Sequence, residues 1–320
     1  MADGGSGRRL ETAGGNGSYR HEALLWREPE DFLSWTVPFV CEGITAGDAV
    51  MVAVTELRAC WLREALGDAA AEVRFVDMAK LGSNPGRILS GWRGFLDEHT
   101  GRGAAVRGVG EPVWAGRRPE EILECQLTEA LLNIAVQPDT PFWLLCPYEL
   151  TRLEDSMVEQ VYRSHPAVVA DQQYRGSHRY GGRDLVETAW SSDLPAVEGI
   201  CSEMVFSRHD LQSVSSFVAA RAYAVLLGPD RAAELAVVIQ QLAAGCLHRG
   251  ASGGTVRVWV RPDALVCEVH DGGSAVDPLV GREPPARDRR HAFWTANELC
   301  DLVQVRSNSA GTTVRVHEWL

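Results

Sequence analysis

The sequence predicts two domains: an α/β domain built on a parallel sheet and, after it, an α+β sandwich. The chain has 320 residues, which is more than one domain of ordinary size. In the first half, nearly continuous apolar strands alternate with amphipathic helices, a pattern typical of a three-layer fold with helices on both faces of the sheet. The second half begins with two helices and continues with alternating strands, which indicates helices on one face of a mostly antiparallel sheet.

Changes in composition place the domain boundaries. Residues 1–18 are rich in Gly and polar side chains and contain no apolar run, so we expect a disordered tail rather than a signal peptide. Residues 19–170 form the predicted α/β domain. Residues 171–200 lose apolar periodicity and gain Gly, Ser, Arg and Asp, as linkers do, and residues 201–320 form the second domain.

Composition also bears on the class of function. The net charge of −12 and the lack of a Lys/Arg run argue against nucleic-acid binding. The longest apolar runs are the length of strands, so we expect no membrane span. The eight cysteines contain no CxxC pair, which favours buried, reduced thiols in a cytoplasmic protein over a metal site.

Four apolar runs in the first half are predicted strands of the parallel sheet. They are "DAVMVAVT" (48–55), which we take as the first strand, "EVRFVDM" (72–78), "AAVRGVGEPVW" (104–114) and "FWLLCPYEL" (142–150). A helical segment follows each run, so right-handed crossovers bring the carboxyl ends to one edge, where open α/β sheets bind ligands. The candidate ligand-binding residues near that edge are Asp77, Asn84, Arg87, Glu111, Tyr148 and Glu149.

The alternative for Asp77, Glu111 and Tyr148 is a structural role, as helix caps or in turn hydrogen bonds. No GxxxxGK sequence followed by Ser or Thr comes after any of these strands. The turn "VTELRACW" has neither a glycine cradle nor a lysine for phosphate. A P-loop ATPase is therefore disfavoured.

Apolar periodicity predicts the buried faces of two helices. After Pro119 the residues at helical spacing are Ile122, Leu123, Leu127, Leu131 and Leu132. In the second half, a helix begins at Pro229 and closes at Gly250. Its predicted buried face consists of Leu235, Ile239, Leu242 and Cys246.

Six segments of the first half resemble the MEDS sensory domain and follow one another in the expected order. They are "HEALLW" (21–26), "FVDM", "NPGRIL", "RGVGEPVW", "ALLN" (130–133) and "LLCPYEL". The resemblance implies a degenerate relative of the RecA/KaiC-type ATPases that senses a small organic ligand. His21 is a candidate sensor group in this setting, and packing ahead of a strand is the alternative.

Three segments of the second half resemble the GHKL ATPase fold, in the branch that contains anti-sigma serine kinases and their histidine-kinase-like relatives. "VHDGG" carries Asp271 and Gly273, "ELCDLVQVRS" (298–307) follows, and "GTTVRV" carries Gly311 and Thr312. The resemblance implies that these four residues bind a nucleotide, with Asp271 accepting a hydrogen bond from the adenine amino group.

Two side chains that the chemistry of this fold needs are missing. The resemblance places Gln241 where the general-base glutamate stands and Gly245 where an asparagine binds Mg²⁺. A neutral amide does not take up that proton near pH 7, and glycine offers no side-chain ligand. "RHAFW" (290–294) replaces the glycine-rich lid over the phosphates. We therefore predict no catalytic residues, weak binding of ATP or ADP at most, and no Mg²⁺ site.

These observations favour a regulatory protein over an enzyme: a sensory domain coupled to a pseudokinase that acts by protein binding. By resemblance, its partner is a sigma factor or a STAS-type anti-anti-sigma protein. Two alternatives stay open, an active ATP-dependent serine protein kinase with a rearranged metal site and a small-molecule sensor that acts through self-association. A histidine autokinase is disfavoured because no phosphotransfer hairpin precedes the second domain.

Overall fold

The structure is a computed structural model that describes residues 18–171, 173–197, 199–285 and 292–320. The disordered tail predicted at the start of the chain lies outside the described residues, apart from residue 18. Within the described ranges, no helix has the length and apolar character needed to cross a membrane.

The chain forms two compact units, and each is assembled from separate stretches of sequence. Unit 1 contains the described residues up to Val76, then Phe95–Trp114 and Val136–Tyr180. Unit 2 contains Asp77–Gly94, Ala115–Ala135 and the described residues from Gly181 to Leu320.

The secondary structure comprises strands, α-helices and short 3-10 helices. The strands are β1 (Arg20–Trp26), β2 (Ala49–Val54), β3 (Val73–Asp77), β4 (Val106–Gly110), β5 (Phe142–Glu149), β6 (Ala167–Ala170), β7 (Gln173–Gly176), β8 (Cys201–Ser207), β9 (Gly253–Arg261), β10 (Ala264–Asp271), β11 (Leu302–Asn308) and β12 (Gly311–Trp319). The α-helices are α1 (Pro29–Ala46), α2 (Glu56–Leu66), α3 (Met78–Leu81), α4 (Ile88–Thr100), α5 (Pro119–Ala135), α6 (Asp155–Ser164), α7 (Gly182–Ser191), α8 (Leu211–Ala224), α9 (Pro229–His248) and α10 (Ala292–Leu299). The 3-10 helices cover Gly67–Glu72, Pro85–Arg87, Leu150–Arg152 and Arg208–Asp210.

Unit 1 is built on a seven-stranded sheet in the order β3-β2-β4-β5-β1-β6-β7. β1 runs parallel to β5 and β6, and β4 runs parallel to β2 and β5, whereas β7 pairs antiparallel with β6 at the edge. The prediction of an α/β fold with a mostly parallel sheet is therefore confirmed. The prediction that "DAVMVAVT" is the first strand is wrong, because the short run "RHEALLW" is buried along most of its length and forms β1 inside the sheet.

The apolar core of unit 1 packs helices α1 and α2 against one face of this sheet. Phe32, Phe39 and Val40 recur at helical spacing on α1, and all three are fully buried. They pack in one cluster with Leu24 of β1. Because side chains alternate along a strand, His21 of β1 faces away from this cluster, to the other side of the sheet.

Unit 2 contains a five-stranded antiparallel sheet in the order β11-β12-β10-β9-β8. The antiparallel sheet predicted for the second half is therefore confirmed. Helix α9 packs against α8, β9 and β10. The predicted buried face of α9 is also confirmed, since its four residues Leu235, Ile239, Leu242 and Cys246 are all buried.

Helix α5 belongs to unit 2, and the spacing of its apolar residues predicts only some of the side chains that are buried. Leu123, predicted on the buried face, is 46% exposed, whereas Glu124 is 0% exposed. Glu124 Oε2 accepts a hydrogen bond from Arg282 Nη2 at 2.9 Å, and its Oε1 accepts one from Arg306 Nη2 at 2.7 Å. Arg282 Nη1 also donates to Thr128 Oγ1 at 2.7 Å. The helix buries a carboxylate at this position because two guanidinium groups neutralise it.

The stretch predicted as a linker, 171–200, contains β7 and helix α7. Helix α7 buries Leu185, Val186 and Trp190, which recur at helical spacing. The indole Nε1 of Trp190 donates a hydrogen bond to the carbonyl oxygen of Val276 at 3.2 Å. Helix α7 therefore contributes packed structure to unit 2, whereas β7 belongs to the sheet of unit 1.

Candidate functional site

Polar side chains meet in unit 1 where parallel strands end. Glu111 comes directly after β4, and its Oε2 accepts hydrogen bonds from Thr55 N at 2.9 Å and Thr55 Oγ1 at 2.7 Å. Arg58, near the start of α2, binds Glu149 Oε2 through Nη2 at 2.5 Å. Its Nε lies 3.5 Å from Glu111 Oε1, so one guanidinium group joins the two carboxylates at the ends of β4 and β5.

This cluster is charged but set among aromatic rings. The Arg58 guanidinium carbon lies 5.0 Å from the ring centroid of Trp26 and 4.7 Å from that of Trp61. Burial raises the pKa of Glu111, while the hydrogen bonds from Thr55 and the charge of Arg58 oppose that rise. A small polar ligand at this edge would therefore meet a carboxylate that takes up a proton more readily than a solvated one.

The remaining sequence-predicted residue of unit 1 lies elsewhere. Tyr148 is buried, and its ring stands edge-on to His165 with the centroids 5.6 Å apart. Because neighbouring residues of a strand point to opposite faces, Tyr148 does not join Glu149 in the cluster around Arg58. Of the three predicted residues in unit 1, the structure therefore brings Glu111 and Glu149 together.

The other three predicted ligand-binding residues belong to unit 2, where each makes local contacts. Asp77 caps α3 by accepting a hydrogen bond from Ala79 N at 3.0 Å. Asn84 is fully buried, accepts from Gly86 N at 2.9 Å, and donates to the carbonyl oxygens of Asn297 and Cys300 at 3.1 and 3.2 Å.

Arg87 is half-buried, and its Nη2 donates to Ser83 Oγ at 2.8 Å. Together with the capping bond of Asp77 and the buried amide of Asn84, this contact holds the turn between α3 and α4. The contact of Asp77 is the helix cap considered above as its alternative role, and Asn84 and Arg87 also make contacts within this turn.

Unit 1 contains a second cluster, of buried histidine and cysteine side chains, that the sequence did not predict. It contains His21 on β1, Cys146 on β5 and His165 just before β6. The ligand atoms of these side chains lie within 4.8 Å of one another, and the three residues are 2%, 1% and 0% exposed. His21 and Cys146 share a hydrogen bond, with 3.4 Å between Nε2 and Sγ.

In unit 2 the structure brings together the four residues predicted to bind a nucleotide. Asp271 ends β10 and stands opposite Thr312 of β12 in the antiparallel register. A Cβ atom on Gly273 would lie 2.6 Å from Asp271 Oδ1. Gly311 has φ +136°, and a Cβ atom there would lie 1.9 Å from the Asp271 carbonyl oxygen, so only glycine fits.

The Asp271 carboxylate is engaged by groups of the protein itself. Its Oδ2 lies 2.5 Å from Arg249 Nη2, and its Oδ1 accepts a hydrogen bond from Gly273 N at 2.8 Å. Arg249 follows the last turn of α9, and sequence reasoning did not single it out. Burial, followed by the neighbouring Asp271 carboxylate, raises the pKa of the Cys246 thiol beside this pair to about 12.

The two degenerate positions of α9 have different surroundings. Gln241 is exposed on the helix. At Gly245 a Cβ atom would lie 3.4 Å from Arg249 Nη1, an ordinary contact distance, so the guanidinium group packs beside this position. The substituted phosphate lid, "RHAFW", begins outside the described residues, at Arg290 and His291.

Unit 2 also contains a cavity of about 500 Å³ between α5, the stretch before β8 and the sheet. Leu123, Trp259 and His317 contribute to its lining. Burial lowers the pKa of His317 to about 4. The imidazole Nε2 lies 3.0 Å from Gln304 Oε1, so Nε2 carries the proton and Nδ1 keeps its lone pair.

Comparison with known families supports part of the assignment made from sequence. Residues 20–166, just under half of the chain, match the model of the MEDS family, the methanogen/methylotroph DcmR sensory domain. The match confirms the MEDS resemblance of the N-terminal part and indicates a signalling or regulatory role. No curated protein matches the chain.

Proposed function

We propose that the protein is a regulator in which a sensory region, residues 20–166, controls a kinase-like region that acts by binding another protein. The observation that carries this proposal is the ion pair between Arg249 and Asp271. The resemblance to the GHKL fold implies that this carboxylate accepts a hydrogen bond from the adenine amino group. Here it already accepts a charge-assisted hydrogen bond, which is about twice as strong as a neutral one.

The surroundings of the pair also disfavour phosphoryl transfer. Gln241 cannot serve as a general base near pH 7, and Gly245 cannot bind Mg²⁺ through a side chain. Phosphoryl transfer depends on metal ions and on positioning of the phosphates. Arg249 packs beside Gly245 and pairs with Asp271, so a positively charged group lies near the position where the resemblance places a ligand of Mg²⁺.

Features of β8 support an output through protein binding. β8 is an edge strand of its sheet, which leaves backbone groups available to pair with an added strand. Val205 on this strand is 74% exposed, and Ile200 immediately before it is 95% exposed. By the same resemblance, the partner is a sigma factor or a STAS-type anti-anti-sigma protein, and the net charge of −12 favours a basic partner surface.

In this proposal the sensory region responds to a small organic ligand. The ligand binds at the cluster of Thr55, Arg58, Glu111 and Glu149. Carboxyl ends of parallel strands are the usual ligand edge of open α/β sheets. The exposed apolar residues around β8 equally favour the second candidate function, output through self-association. Mass photometry of the full chain distinguishes the two, because self-association doubles the mass without an added partner.

Nucleotide titration of the full chain tests the proposal. Calorimetry with ATP and ADP, with and without Mg²⁺, should show no binding or weak binding that Mg²⁺ does not strengthen. The Arg249→Ala variant frees Asp271 and should gain ADP binding. Arg257→Ala is the matched control, since it removes an arginine of the same unit that pairs with Glu203 at 2.7 Å.

Two outcomes would contradict the proposal. Tight Mg²⁺-dependent binding of ATP by the wild-type protein would favour the active kinase, and phosphorylation of a STAS-type protein would establish it. Equal ADP binding by the wild type and Arg249→Ala would show that the ion pair does not control access to Asp271.

A further inference from the structure

We propose that His21, Cys146 and His165 bind a transition-metal ion, with Zn²⁺ as the best fit. These three residues belong to unit 1, and the proposal does not rest on the proposed function. Neither the pattern of cysteines nor the position of His21 predicted it. The geometry, the tautomer of one histidine and the chemistry of the donor set support it independently.

The spacing of the side chains matches that of tetrahedral ligands. In zinc sites the Zn–S distance is about 2.3 Å and the Zn–N distance about 2.0–2.1 Å, so a tetrahedron separates sulfur from nitrogen by about 3.5 Å. Cys146 Sγ lies 3.4 Å from His21 Nε2. The ligand atom of His165 lies within 4.8 Å of both, so a metal ion requires only a small inward movement of this ring.

The surroundings of His165 fix the tautomer that a ligand needs. Its Nδ1 lies 2.9 Å from the carbonyl oxygen of Val161, and a carbonyl oxygen only accepts hydrogen bonds. Nδ1 therefore carries the proton, and Nε2 carries the lone pair. Metal-binding histidines commonly donate the other ring N–H to a backbone carbonyl in this way, which orients the ring.

Rigid elements hold the three side chains. β1 and β5 are parallel neighbours, and the register sets Ala23 opposite Cys146, so His21 lies two residues away on the same face. The His165 ring packs against the His21 ring with the centroids 4.3 Å apart and the planes tilted by 47°. Because all three residues are buried and come from different elements, the protein positions the donor atoms before an ion arrives.

The donor set selects the class of ion. Two imidazoles and a thiolate suit Zn²⁺ and Cu⁺, whereas Ca²⁺ and Mg²⁺ prefer oxygen ligands. On binding, the Cys146 thiol loses its proton to solvent, the sulfur–metal bond forms, and the hydrogen bond to His21 is replaced. The three side chains fill three corners of a tetrahedron and leave the fourth for water, a small ligand or another side chain.

Cobalt spectroscopy on the full chain tests this proposal. After treatment with a chelator and dialysis, the protein should bind one Co²⁺ per chain and show a thiolate-to-cobalt charge-transfer band, and added Zn²⁺ should displace the cobalt. Cys146→Ser should abolish the band and weaken Zn²⁺ binding by more than about 100-fold, since changes of residues outside the ligand set already cost about 10–100-fold.

His165→Gln should weaken binding while keeping the charge-transfer band, because the thiolate remains. Cys125→Ser, a buried cysteine, and Cys60→Ser, an exposed one, are matched controls and should retain both the band and the affinity. Zn²⁺ should also raise the Tm of the wild type. Absence of the band in folded wild-type protein, or its persistence in Cys146→Ser, would overturn the proposal, and if Cys146→Ser does not fold, the wild type and His165→Gln decide.

Discussion

The charge cluster of Glu124, Arg282 and Arg306 in unit 2 gives a quantitative prediction for stability. Glu124→Gln removes the only negative charge among these three side chains and leaves two buried guanidinium groups beside each other. Removing one partner of a buried ion pair costs about 3–5 kcal/mol. Two hydrogen bonds to charged groups, each of about 1.5–3 kcal/mol, lead to the same range. That loss is a large part of the stability of about 5–15 kcal/mol of an ordinary domain.

Urea unfolding of the full chain, followed by tryptophan fluorescence, measures this effect. With a dependence on urea of about 1–3 kcal/mol per molar, the midpoint should fall by roughly 1–2 M or more. Glu56→Gln is the control, because Glu56 pairs with Arg63 at 2.9 Å in an exposed ion pair. Such pairs contribute about 0–1 kcal/mol, so its midpoint should hardly move.

A compensating variant separates charge from packing. Replacing Glu124, Arg282 and Arg306 together by methionine removes all the buried charges, and such replacements are often neutral or stabilising by about 1–4 kcal/mol. We therefore expect the triple variant to regain most of the midpoint lost in Glu124→Gln. Equal midpoints for Glu124→Gln and Glu56→Gln would refute the reasoning, since the buried carboxylate would then contribute no more than an exposed one.

Two further predictions concern unit 2. Burial lowers the pKa of His317 to about 4, so below about pH 6.5 this histidine takes up a proton in the unfolded chain but not in the folded one. The free energy of unfolding should therefore fall by about 2 kcal/mol between pH 7 and pH 5. The urea midpoint of His317→Gln should show a weaker dependence on pH over this range, and an unchanged dependence would contradict the assignment. Gly311→Ala should lower the free energy of unfolding by about 3 kcal/mol or more, because its Cβ would collide with the Asp271 carbonyl oxygen. Gly116→Ala, at φ +101° with open space around it, should show backbone strain alone, of about 1 kcal/mol, and equal losses at both positions would argue against the collision.

The sequence predicted those features that depend on local periodicity. The parallel sheet of unit 1 follows from continuous apolar strands, and the buried face of α9 follows from Leu235, Ile239, Leu242 and Cys246. The pairing of Asp271 with Thr312 depends on two strands that flanking motifs already identified. In these cases the residues that carry the pattern also make the contacts.

The sequence did not predict contacts between residues that are far apart along the chain. Arg249 lies in a polar turn after α9, so its pattern resembles that of a solvated arginine, and only the fold brings it to Asp271. His21 and Cys146 are neighbours because β1 inserts between β5 and β6, which no local pattern indicates. Glu124 likewise looks like the polar face of an amphipathic helix until its two arginine partners are placed around it.

The position of α5 affects whether recombination can exchange the C-terminal region of this chain. The family match ends at residue 166, yet α5 lies inside that match and belongs to unit 2 together with the C-terminal sheet. A recombination event that joined a new C-terminal region after residue 166 would separate Glu124 from Arg282 and Arg306, and would bury unbalanced charge on both sides of the junction. We therefore expect the two regions not to be exchangeable as modules. We also expect substitutions in α5 to have accumulated together with substitutions around Arg282, in the turn after β10, and around Arg306 on β11.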